Sequence, residues 1–272
     1  MSFAERIPPL DRPVTLVFNP SRVGPPRPRP EGATVAWLVD EALRLHEAAV
    51  DRRLGARTRG WTGADGAPMR LRPASVLIEG DHRPLGAAGR VGFTLASAPA
   101  PDTGWLGVVE ACGQDSPRIR MSLLGRFVDR NGTSACPPPP ALAGAPTEAS
   151  RAMAARAQAA LASARPDASG FVEEVVLDRG PSGFAALARA VARTEARVVA
   201  SLPPGLSPAT RELHAFGDVA PEAHLAITCC AYAPQGRAGE GADILLRSVV
   251  QVKGCDRLLA VAGLRLMRGR AH

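Results

Sequence analysis

Two periodicities divide the chain. Short β-branched and aliphatic runs bounded by Gly, Pro or Asp predict strands. In the first half they fall at Val14–Phe18, Pro73–Asp81, Arg90–Ala98, Trp105–Cys112 and Arg118–Asp129. In the second half they fall at Gly170–Leu177, Ala209–Phe216, His224–Ala231, Asp243–Val252 and Leu258–Met267. A helical period interrupts each set. From about Thr34 to Leu54, Leu38, Ala42, Leu45 and Ala49 form an apolar stripe, with Asp40, Arg44, Glu47 and Asp51 opposite, and Gly55 ends the pattern. From about Ser182 to Ser201, Phe184, Ala188, Val191, Val198 and Val199 cluster on one side before Pro203-Pro204-Gly205 stops the helix. Residues 147–164 are Ala-rich and predict a third helix, on the surface.

Proline supplies the punctuation between the halves. Four successive prolines in Cys136–Pro146 exclude a helix interior or central strand and mark a linker. We therefore expect an N-terminal repeat over 1–135, a linker over 136–150 and a C-terminal repeat over 151–272. Each half reads strand, helix, then a run of antiparallel strands, although identity between them is negligible. One long helix covers one face of a five-stranded sheet, so the expected class is α+β, with two antiparallel sheets each wrapped around a central helix. Placed side by side, such units form a continuous sheet and hide each other's edges.

Composition narrows the class. The chain has 272 residues, 46% hydrophobic and 22% charged, which describes a globular protein with ample core. No apolar run approaches the roughly 20 residues needed to cross a bilayer, and Met1–Pro9 lacks the apolar stretch of a secretory signal. A cytoplasmic protein without membrane spans is expected. Five cysteines (Cys112, Cys136, Cys229, Cys230, Cys255) include no C-x-x-C pair, so reduced thiols acting as small core residues are expected rather than a metal site. The net charge of +7 comes from 33 basic residues, all Arg except Lys253, spread along the whole chain. With no basic helix and 4% aromatics, nucleic-acid binding is disfavoured. A positive surface favours a polyanionic partner, such as coenzyme A phosphates or an acidic carrier protein.

Several residues could carry chemistry. Glu195 falls inside the apolar cluster of the second helix, where a carboxylate must be paired or line a cavity. Just upstream, Asp178-Arg-Gly180-Pro-Ser182-Gly183 opens that helix, and free N–H groups at such a terminus can polarise a carbonyl. Asp178 or Ser182 could equally be a helix cap. In the first helix His46 lies at the edge of the apolar side and can titrate near neutrality, whereas Asp40 is expected to be a solvated charge paired with Arg44. Arg83, in the turn Asp81–Gly86, could bind phosphate. His214 lies on a strand, its side undetermined. There is no G-x-S-x-G elbow, P-loop, dinucleotide fingerprint or H-E-x-x-H.

Three stretches resemble the double hot-dog proteins of polyketide-type biosynthesis, the group that includes the leinamycin-pathway acyltransferase/decarboxylase. Val175–Phe184 with the helix behind it is similar to the family's Asp-x-Asn-Gly-x-Gly helix start, and Glu195 falls where the family is expected to carry a helix carboxylate. Thr210–Asp218 resembles its Arg-Asp-x-x-Tyr-x-Gly-Asn strand and turn, and Leu258–Leu266 its final strand. Trp37–Glu41 and Arg126–Arg130 are fainter echoes. The resemblance implies an enzyme acting on acyl thioesters, by hydrolysis, transfer or decarboxylation, with coenzyme A or phosphopantetheine as substrate carrier and no other cofactor. Glu195, Asp178 and His46 would be catalytic, and Gly180, Ser182, Gly183, Arg83 and His214 would bind substrate, in a monomer or homodimer. The sole tyrosine, Tyr232, lies in the second half, so no first-half tyrosine nucleophile carries over. A non-catalytic acyl- or partner-binding protein, and a dehydratase pairing His46 with Glu195, are the alternatives.

Overall fold

The computed structural model describes residues 21–22, 27–28, 35–54, 61–62, 66–81, 90–102, 104–113, 118–129, 131, 134–138, 142, 144–178, 183–232, 243–255 and 257–268. The expected strand at Val14–Phe18 lies outside them. In chain order the elements are β1 (Ser21–Arg22), β2 (Arg27–Pro28), α1 (Val35–Leu54), β3 (Trp61–Thr62), β4 (Pro68–Glu79), β5 (Arg90–Ala100), β6 (Gly104–Gly113) and β7 (Ile119–Asp129). Then come α2 (Glu148–Ala162), β8 (Phe171–Val176), α3 (Gly183–Val199), β9 (Leu206–Ala215), β10 (His224–Tyr232), β11 (Ile244–Val252) and β12 (Leu258–Arg268).

The strands join into one sheet in the order β1-β5-β6-β7-β4-β9-β12-β11-β10-β8, with β2 and β3 attached beside β5 and β4. That order is a palindrome: each half contributes the same five-strand path, and the two meet at β4 and β9. The two expected antiparallel sheets are joined edge to edge into one continuous sheet. Five residue pairs, from Ser75 opposite His214 to Glu79 opposite Thr210, link the halves antiparallel. The physical reason is the edge rule. A five-stranded unit left alone would expose the unpaired amides of β4 or β9, and pairing them satisfies both.

Both central strands start earlier than their pattern predicts, at Pro68 instead of Pro73 and at Leu206 instead of Ala209, so each runs through a proline, Pro73 or Pro208. A central strand tolerates proline only at an irregularity. Each strand supplies one: the register of β4 against β7 shifts between Pro73 and Ser75, and that of β9 against β12 shifts where Ala209 is skipped. The dipeptide Pro-Ala therefore occupies the same bulge in each half.

On one face of the sheet α1 and α3 pack against each other and against the main core, which includes Leu38, Val39, Leu187, Val191, Val76, Ile78 and Leu213. Helix α2 lies on the opposite face. Its N-cap Thr147 accepts from the Ser150 amide, and Ala149 and Met153 pack on Leu77, Leu106, Val108 and Leu124. Arg156 binds Glu212, and Arg247 donates to Ser163 Oγ at 2.6 Å. The helix touches β5 and β7 of one half and β9 and β12 of the other. It is a brace across the seam, with one side buried. Of the cysteines only Cys229 is buried, while Cys112 and Cys255 are exposed, so the expectation of core thiols is corrected for those two; all five are unpaired.

With the two halves sharing β4, β9 and α2, chemical unfolding should be one cooperative transition. Truncating Leu213 at the seam (Leu213→Ala) should lower stability by about 2–5 kcal/mol without splitting it. Two resolved transitions in the parent chain would show that the halves fold separately.

Candidate functional site

A cleft of about 850 Å³ opens where the polar side of α1 passes over the first part of β4 and meets the start of α3. Asp40, Glu41, Arg44, Glu47 and Asp51 form one wall, Arg70 and Arg72 another, and Gly183, Phe184 and the Gly217–Val219 turn close one end. The bulge at Ala74 helps to make this space. Residues before it turn Met69 and Leu71 towards a separate cluster with Val50 and Phe127, away from the seam core.

Asp40 departs from its expected role as a solvated partner of Arg44. Arg44 binds Glu41 at 2.9 Å, and Asp40 is half-buried in the cleft. Desolvation pushes its carboxyl up, offset in part by the Arg189 guanidinium. Glu47 touches water inside the cleft, yet its carboxyl is also pushed up, by the surrounding protein and then by Asp51. Arg70 and Arg72 both face Asp218, at 2.9 and 3.9 Å. Sequence reading missed this constellation. A polar helix face looks the same whether it meets bulk water or a cleft.

His46 and Glu195 are the two fully buried polar residues of the paired helices that lack partners for one atom each, His46 Nε2 and Glu195 Oε1. They occupy equivalent positions. The buried series Val35, Ala36, Leu38, Val39, Ala42, Leu45, His46 of α1 matches Phe184, Ala185, Leu187, Ala188, Val191, Thr194, Glu195 of α3 step for step. The His46 ring lies on Gly107, where an added Cβ would come within 2.6 Å of it. Burial lowers its pKa to about 4, so it is neutral. A small space of about 10 Å³ beside it is lined by Leu43, Glu47, Leu71 and Pro73, which also line the cleft, and by Leu123, Leu124 and Gly125 of β7, which do not. Glu195 instead binds Arg211 on β9, and its carboxyl is pushed up by burial with Arg211 opposing. The helical phase placed Glu195 inward, and it is inward. It is not among the residues that line the cleft, and each of the pair lies against its own half of the sheet.

The other sequence candidates scatter. Asp178 is exposed and paired with Arg189 at 3.5 Å. Gly183 opens α3 and lines the cleft; the Val219 carbonyl would be 2.3 Å from a Cβ there, so only glycine fits. Gly180, Ser182 and Arg83 lie outside the described residues. His214 points to the α2 side of the sheet, fully buried, with Nδ1 3.0 Å from Ser75 Oγ and Nε2 3.4 Å from Glu212. The sheet separates it from this cleft. Glu212 is held down at about 2; burial opposes this, and its bonds to His214 and Arg156 prevail. Among the described residues no three His, Cys, Asp or Glu side chains gather as metal ligands, and no helix is long and apolar enough to cross a membrane.

Solved structures similar to this chain include proteins named as thioesterases. A protein assigned as an oleoyl thioesterase from Lactobacillus plantarum matches with a TM-score of 0.62 at 10% identity, covering 93% of this chain and 98% of that one. A 12:0-ACP thioesterase from Umbellularia californica matches at 0.51, with 9% identity and 87% of each chain covered. A protein assigned as thioesterase II from Thermobifida fusca matches at 0.50, with 13% identity, covering 92% of this chain and 95% of that one. At such identities the likeness is one of fold, and the chain shares the hot-dog fold of these proteins. No family model matches the sequence, and no curated protein is similar to it in sequence.

The buried imidazole makes stability depend on pH. A group whose folded pKa is depressed stabilises the fold above its unfolded pKa and loses that contribution as pH falls. The parent should therefore lose stability between pH 6.5 and about 4. His46→Leu should remove up to about 3 kcal/mol of that slope, measured by denaturant unfolding across the range. Identical slopes in both proteins would contradict the burial of a neutral His46.

Proposed function

We propose that the chain is a double hot-dog thioesterase that hydrolyses an acyl thioester in the cleft between α1 and the start of α3. One observation carries this reading: a partly desolvated carboxylate, Asp40, shares a water-filled-size cleft with the first turn of a long helix. The first N–H groups of α3, at Gly183 and Phe184, have no partners within the helix and sit at its positive end. A thioester carbonyl directed at them is polarised, and the negative charge that develops on its oxygen is stabilised there. Asp40 takes a proton from water as the water oxygen attacks the carbonyl carbon. The tetrahedral intermediate then collapses, the carbon–sulfur bond breaks, and the departing thiolate recovers the proton from Asp40. The raised pKa of Asp40 suits it to this exchange.

This reading keeps the helix-start role proposed for Gly183 and transfers the carboxylate role from Glu195 to Asp40. Glu195 and Asp178 become structural charges, paired with Arg211 and Arg189. The overall charge of +7 supports delivery by a polyanion, either coenzyme A or an acidic carrier protein. The resemblance to polyketide-pathway proteins supports the carrier protein, and five unpaired cysteines support a reducing, cytoplasmic setting. Decarboxylation or transfer through an acyl-tyrosine gains no support: Tyr232 donates to Asp167 at 3.3 Å, away from the cleft.

A panel of acyl-pantetheine thioesters, followed by thiol release, tests this. Asp40→Asn should lower kcat by about a hundredfold or more with the fold intact. The parent's rate should fall on the acid side, through a pKa above the ordinary carboxylate range, and that limb should vanish in Asp40→Asn. Saturable binding with no turnover on any thioester would replace hydrolysis with a binding role.

A further inference from the structure

We propose that Arg189 of α3 is a positioning residue for Asp40, holding a positive charge beside the base from the half of the chain that does not carry it; this rests on the hydrolytic reading above. The symmetry of the fold brings the two together. Leu77 pairs with Glu212 at the middle of the β4–β9 seam, and the outer pairs, Ser75 with His214 and Glu79 with Thr210, exchange under a half-turn about that point. A two-fold axis normal to the sheet therefore relates the halves, and it makes α1 and α3 antiparallel. The cleft marks where they cross: Gly183 and Phe184, which open α3, line it together with Asp40, Leu43 and Arg44. Counted back from the equivalent residues His46 and Glu195, Asp40 and Arg189 occupy the same position, six residues earlier in each helix. Both lie next to the crossing point, where equivalent positions come closest.

The charges agree with that placement. Burial disfavours the charged form of Asp40, the Arg189 guanidinium favours it, and Glu41 on the same helix disfavours it again. The three guanidiniums that line the cleft are engaged with other carboxylates: Arg44 binds Glu41, and Arg70 and Arg72 face Asp218 in the β9–β10 turn. Glu47 and Asp51 stand two and three turns further along α1. Arg189 has an anchor of its own. Asp178, just before α3, binds its guanidinium at 3.5 Å and so fixes one end of a long, flexible side chain. Asp178, expected from the sequence to be catalytic, thus serves the reaction at one remove, through Arg189 and then Asp40. Without that guanidinium, desolvation would keep Asp40 protonated, and idle as a base, over more of the pH range. At 47% exposure Arg189 is screened by water, so its effect on rate is a few-fold and not orders of magnitude.

The test is the pH profile of hydrolysis with the acyl-pantetheine panel. On the acid limb Arg189→Gln should turn over about threefold more slowly than the parent, and the deficit should close as pH rises. Arg189→Lys, which keeps the charge, should restore the parent profile. Arg193→Gln, an exposed position one turn further along α3, should leave that profile unchanged. Added salt should slow the parent on the acid limb and affect Arg189→Gln less. No deficit in Arg189→Gln, one equal at every pH, one that Arg189→Lys fails to restore, or one matched by Arg193→Gln would overturn the inference and leave hydrolysis standing. If no thioester is turned over, the hydrolytic reading fails instead, and carbon-detected NMR titration of the Asp40 carboxyl, identified by its absence from Asp40→Asn, decides the Arg189 contact. A titration displaced upward in Arg189→Gln supports it; coincident curves overturn it.

Discussion

Everything in this structure hangs on the antiparallel pairing of β4 with β9. Five residue pairs turn two half-covered sheets into one, and in doing so they oblige α1 and α3 to pack side by side. The cleft exists because of that obligation. Its walls come from α1 and β4 of the first half, and its end comes from the α3 start and the β9–β10 turn of the second. Neither half contains the whole of it. On the far face α2 crosses the same seam, and Arg156 and Glu212 tie it down beside the buried Ser75–His214 contact.

The paired helices also show two ways of hiding a polar residue at one structural position. In α1 the residue is histidine, and the site is solved by neutrality and by a glycine beneath the ring. In α3 it is glutamate, and the site is solved by a guanidinium from the neighbouring strand. A buried ion pair adds little net stability over an apolar pair, but removing one partner strands the other, so Arg211 and Glu195 are tied to each other. At the position matching Arg211, counted from the Pro-Ala bulge, β4 carries Val76, which suits a partner that needs no charge.

Much of the fold was legible from periodicity. The stripes of α1 and α3 and the strand runs after them predicted those elements to within a few residues, since in each case one face had to be buried. Pro73 and Pro208 misled because a bulge is a tertiary accommodation that no local pattern announces. The inward placement of Glu195 could be read from helical phase alone. Its distance from the cleft could not, because that depends on which strand passes beneath the last turns of α3. Asp40 was misplaced for a related reason: its i, i+4 neighbour Arg44 looked like a partner, whereas Glu41 holds Arg44 in the fold. The side of the sheet that His214 faces follows from β-bulge register, and it too lay beyond the reach of the sequence.

The palindromic strand order carries an evolutionary corollary. An assembly of two identical subunits must repeat every side chain at both symmetry-related places, so a change that improves one cavity is imposed on the other. Joining the copies in tandem lifts that constraint. Here one of the paired helices holds an uncharged ring and the other an internal ion bridge, a division of labour that two identical subunits could not encode.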